Sequence, residues 1–104
     1  MIGIPDYSIA GINYRKGIED YVGRFNGYLK PEPTNAYDPY AIAVYAQDGH
    51  HLGYIPATCT TEVYAFHKQF PLPVYIIIDE DYDELENRRF FRGGIYLTNN
   101  ETNK

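Results

Sequence analysis

One cysteine, one serine, no tryptophan and no long apolar run set the first limits on this chain. A lone Cys59 excludes an internal disulfide and any cysteine-based zinc site. The lone Ser8 has no G-x-S-x-G elbow around it, and Cys59 falls on an apolar stripe where cysteine serves as a small hydrophobe. Neither has the surroundings of a nucleophile, so no catalytic residue is expected and the chain does not read as an enzyme. The "RGG" triplet lacks the spacing and the lysine of a phosphate loop, which removes nucleotide hydrolysis and leaves no cofactor implied. The opening "MIGIPDYSIAG" has no basic stretch followed by an apolar core, and no segment is long enough to cross a bilayer. A reducing, cytoplasmic setting without a membrane partner is the expectation.

Positive charge is also scarce. The net charge of −5 speaks against a protein that coats nucleic acid through its phosphates. The acid is concentrated, however: "DEDYDELE", residues 79–86, holds six of the 14 carboxylates and no base. The rest of the chain is close to neutral, so a binding face would be locally built rather than a basic stripe. Tyrosine is abundant, with 12 Tyr beside 5 Phe. Tyrosine favours strands, and it suits surfaces where one end of the ring is apolar and the other wet.

The 104 residues suit one modest core. Residues 1–98 read as a single domain and 99–104 as a frayed tail. "YSIAGINY" reads as a strand ended by "RKGIED", and "GRFNGYLKPEP" as a second strand with a bulge at Gly27. "AIAVYAQ" is apolar on both faces, as in a strand curled within a small barrel. Asp48-Gly49 is a hairpin turn leading into "HHLGYIP". The period then changes: Cys59, Val63, Phe66 and Phe70 form the stripe of a helix capped by Thr58 and stopped by "FPLP". "VYIIID" and "RRFFRGGIYL" are a further pair of strands. The fold class is mainly β, a small OB-like or SH3-like antiparallel barrel of five or six strands, with one helix between strands four and five.

Asp79, Asp81 and Asp83 resemble the start of a calcium loop, but Glu84 stands where that loop needs glycine and Phe90 where it needs glutamate. The segment reads instead as a solvated hairpin tip paired with Arg88 and Arg89, away from any binding face. His50 and His51 adjoin a turn and read as exposed; with His67 they make no metal-ligand spacing.

What remains are aromatic and polar residues near loops. Tyr14 follows Asn13 and precedes Arg15 and Lys16. Tyr37 stands between Asn35 and Asp38 in "PTNAYDPYAIAVY", and Tyr54 lies in "GYIP". Rings that share one rim of a barrel supply what unpaired bases stack on. The plainer alternative is that Asn35 and Asp38 only shape turns and that Tyr37 covers a barrel end.

The order "IAGINYRKG", "LKPEPTNAYDPYAIAVY", a D-G turn and "LGYIP" before a helix resembles the HIRAN domain. That domain is found in helicase-like DNA translocases and alone in small bacterial proteins. The resemblance implies a modified OB-like barrel. It also implies binding of single-stranded DNA at a free 3′-hydroxyl end, with a nuclease or helicase as a protein partner and a place in DNA repair or fork processing. On that pattern Tyr14 and Tyr37 would stack on bases, Asp38 would accept the terminal hydroxyl and Asn35 would help hold the end nucleotide. Asn13 stands where fork-remodelling members have an arginine, and Tyr54 where they have a histidine. That leaves Arg15 or Lys16 as the nearest cations. The alternative is a protein-interaction module of the same fold without DNA binding.

Overall fold

The computed structural model describes residues 3–98; the expected tail, 99–104, lies outside them. Six antiparallel strands form one sheet: β1 (Tyr7–Ser8), β2 (Gly23–Pro31), β3 (Ile42–Ala46), β4 (His51–Tyr54), β5 (Leu72–Asp83) and β6 (Arg88–Leu97). Their spatial order is β1-β6-β5-β2-β3-β4. The sheet curls into a half-barrel, and its two edges meet at a single bridge. Just beyond β1, the Ala10 N–H donates to the Tyr54 carbonyl of β4 at 2.7 Å, and the Tyr54 N–H returns the bond at 2.9 Å. One helix, α1 (Thr60–Phe66), lies between β4 and β5.

Alternation explains the core. Val74, Ile76 and Ile78 of β5 point inward against Leu29, Ile42, Val44, Leu52 and Ile95, all essentially without exposure. Val63 of α1 closes the same cluster. The run "AIAVYA" is buried along nearly its whole length, and β3 pairs with β2 on one side and β4 on the other. The Asp48-Gly49 turn forms as expected, with the Asp48 carboxylate accepting from the His50 N–H at 2.9 Å.

Four local expectations are corrected. The first strand is only two residues long, because Gly11 adopts φ +75° and turns the chain into a 3₁₀ turn at Ile12–Tyr14. Gly27 is no bulge; it pairs in regular register with Ala46 and Val74, and the irregularity falls between Val44 and Tyr45. Glycine is needed at 27 for close approach, since a Cβ there would overlap the Tyr45 carbonyl oxygen and sit 2.5 Å from Ile76 Cδ1. Thr58 does not cap the helix, which is entered through a 3₁₀ turn at Ala57–Cys59, with the Thr60 hydroxyl donating to the Ala57 carbonyl at 3.2 Å. Phe66 is 74% exposed, because the helix ends on it and His67 is already extended.

Candidate functional site

The loop between β2 and β3 is built around Asn35. Its Oδ1 accepts the backbone N–H groups of Tyr37 at 2.8 Å and Asp38 at 3.0 Å, an Asx-type turn. Asp38 repeats the device one step on, its Oδ1 accepting the Tyr40 N–H at 2.9 Å. These bonds hold the backbone on both sides of Tyr37 while its ring stays 97% exposed. The ring covers no barrel end, so packing does not account for its place. Asp38 keeps a carboxylate oxygen that accepts no other hydrogen bond among the described residues.

The other Asn35 group ties the loop to the sheet. Its Nδ2 donates to Glu32 Oε1 at 3.0 Å, and the Tyr54 hydroxyl donates to the same oxygen at 2.9 Å. The Asn35 bond holds the Glu32 carboxyl below its usual range; burial opposes this, and the Tyr54 bond and the nearby His51 and Arg15 reinforce it. Burial, then the bond to Glu32, pushes the Tyr54 hydroxyl up. Tyr54 is thus a half-buried supporting ring.

Arg15 reaches the side of this network through a histidine that packs on the Tyr54 ring. Its Nη1 lies 2.8 Å from His51 Nδ1, and His51 Nε2 lies 2.9 Å from the Gly53 carbonyl. His51 is not an exposed turn residue. It is half-buried on β4, paired with Tyr45 of β3, and its ring meets Tyr54 edge-on at 4.9 Å. His50 is also occupied, stacked on Tyr21 at 4.5 Å. Glu32 and His51 were missed as site residues. Glu32 sits between prolines at a strand end, and only strand register brings His51 beside Tyr45 and Tyr54.

Tyr14 and Asn13 occupy a neighbouring region. Tyr14 is 86% exposed. The Asn13 amide is committed to the edge of β6, donating to the Phe91 carbonyl at 3.0 Å and accepting the Phe91 N–H at 2.7 Å. Both residues line a groove of about 850 Å³ beside the β5–β6 hairpin, together with Asp79, Asp83, Arg88 and Phe90. The acidic segment is therefore not remote from every expected site residue: its root shares the groove with Tyr14. Its ion pairs are Arg89–Glu80 at 3.4 Å and Arg92–Asp81 at 2.9 Å; Arg88 makes none among the described residues.

The structure thus brings Arg15, Asn35 and Tyr54 together around Glu32 and His51, and mounts Tyr37 and Asp38 on the loop they hold. Asn13 and Tyr14 face the groove. Against known proteins, the HIRAN domain family model matches residues 2–88. No curated protein and no solved structure matches the chain.

Proposed function

The chain belongs to the HIRAN domain family, known generally as nucleic-acid-binding modules, and we propose that it binds single-stranded DNA at a 3′-hydroxyl end through the rim of Tyr37 and Asp38. The observation that carries this reading is the Asn35-held turn, which fixes an exposed ring next to a carboxylate. A base stacks on Tyr37 without regard to sequence. A carboxylate accepts a sugar hydroxyl but repels a phosphate at the same place, so the turn selects a chain end over an internal phosphodiester. Tyr14 stacks on an earlier base, and Arg15 takes the place of the missing arginine as the phosphate partner. The module itself performs no chemistry and positions a separate nuclease or helicase at the end, in DNA repair or fork processing.

A second reading has its own support. Asn13 is committed to Phe91, and the groove beside Tyr14 carries Asp79 and Asp83. Both favour a basic protein partner over a phosphate on that side. Titrating a labelled short single strand against its duplex by fluorescence anisotropy, with the parent chain and Tyr37→Ala, separates the two readings. The DNA reading expects preference for the single strand and its loss in the variant. Equal weak binding by both proteins leaves the protein-interaction reading.

A further inference from the structure

The Arg15–His51 contact has a fixed sense. A guanidinium only donates, so His51 Nδ1 must accept from Arg15; the Gly53 carbonyl only accepts, so His51 Nε2 must carry the proton. The contact therefore requires neutral His51 in one tautomer. A protonated ring has donors at both nitrogens and nothing to offer Arg15.

From this geometry we propose that His51 is a positioning residue whose protonation releases Arg15 and strengthens binding of a phosphate-bearing strand at the rim. The proposal rests on the DNA reading above for its ligand, while the release of Arg15 stands on the free protein. The titratable and charged groups facing His51 are Arg15, Glu32 just after β2, Tyr45 of β3, His50 just before β4, and Tyr54 of β4. Burial, then the Arg15 charge, holds His51 below the usual histidine range; the Gly53 bond and Glu32 pull the other way. Arg15 is poorly satisfied in the held state, because its Nε is buried without a hydrogen-bond partner among the described residues. Releasing it therefore forfeits little beyond the bond to His51. Protonation also adds a second positive charge beside the first. Both changes favour an anionic ligand, and by linkage a bound phosphate must raise the affinity of His51 for its proton.

Two measurements test this. In the free protein, NMR follows the His51 ring and the Arg15 Nε–H through an acid titration. The two signals should change together, with a midpoint below the ordinary histidine value. With a short thymidine strand ending in a 3′-hydroxyl, affinity should rise about three- to tenfold between about pH 7.5 and about pH 5.5, since a tenfold change corresponds to one unit of pKa difference. His51→Asn keeps an acceptor near the position of Nδ1 but cannot titrate, so it should flatten that rise. A merely structural histidine would leave the slope intact in the variant. An Arg15 signal indifferent to His51, or an unchanged slope in His51→Asn, overturns the proposal. If the NMR signals move together but no single strand binds at either pH, the DNA reading fails and takes the ligand half of the proposal with it.

Discussion

The rim and the groove meet near Tyr14 and differ in how they are built. The groove is the larger feature, about 850 Å³, but its charges are mixed and its arginines Arg89 and Arg92 are neutralised by Glu80 and Asp81. At the rim, hydrogen bonds link Asp38, Asn35, Glu32 and Tyr54 under an exposed ring, and the Arg15–His51 pair stands beside them with the His51 ring edge-on to Tyr54. Volume marks where something fits. Polar groups fixed ahead of binding mark where a specific ligand is read, because their ordering cost is met by folding.

The largest effect is expected at Gly53, on the strand that carries His51 and Tyr54. Gly53 has φ +147°, and a Cβ there would sit 2.5 Å from the Ala10 carbonyl oxygen and 2.6 Å from Ile9 Cγ2. Gly53→Ala should cost about 2–4 kcal/mol of stability in urea denaturation, since it strains the backbone and opens the Ala10–Tyr54 bridge between the sheet's edges. A midpoint unchanged from the parent would mean that the bridge contributes nothing.

Tyr37→Ala and Arg88→Ala sharpen the contrast. Loss of the Tyr37 ring should weaken single-strand binding by about 1–3 kcal/mol and leave thermal stability unchanged, because the ring packs on nothing. Arg88→Ala should change binding by less than about 0.5 kcal/mol, as for a surface substitution away from any special feature, if the strand passes Tyr14 at the groove's edge without reaching Arg88. The reverse ranking in calorimetric titrations would move the site to the groove.

A smaller effect is expected on stability against pH. His51 binds its proton less readily folded than unfolded, so its contribution is full above the unfolded value and is lost as pH falls from there through the lower folded value. Glu32 is also held low, so its contribution disappears at more acid pH, below the ordinary carboxylate value. Thermal melts of the parent should fall in two stages on acidification. His51→Asn should remove the upper stage and keep the lower.

The hairpin at Asp48-Gly49 and the apolar half of β5 beside β6 are legible because each has a local cause, a turn dipeptide or an apolar run; Asp79–Asp83, expected in the hairpin tip, instead continue β5 in register with Arg92–Arg88. The first strand was misread because Tyr7 and Ile9 alternate as a strand does, while Gly11 then turns Ile12 into the core by a 3₁₀ step. Phe66 was misread because periodicity does not mark which turn of a short helix is the last. At the rim, Asn35 and Asp38 announced the turn through their side chains. Glu32, Arg15 and His51 come from three separate segments, and only the register of β3 on β4 and the bridge at Ala10 bring them together.

End recognition at the rim requires the Asp38 carboxylate to read a hydroxyl. The most direct test compares one short single strand ending in a 3′-hydroxyl with the same strand ending in a 3′-phosphate, in the parent chain and in Asp38→Asn. The hydroxyl end should bind tighter by about 1.5–3 kcal/mol, roughly tenfold or more, the range for a hydrogen bond to a charged group. Asp38→Asn should shrink that gap, since the amide no longer repels the phosphate. Equal affinity of the parent for the two ends would contradict end recognition at this rim.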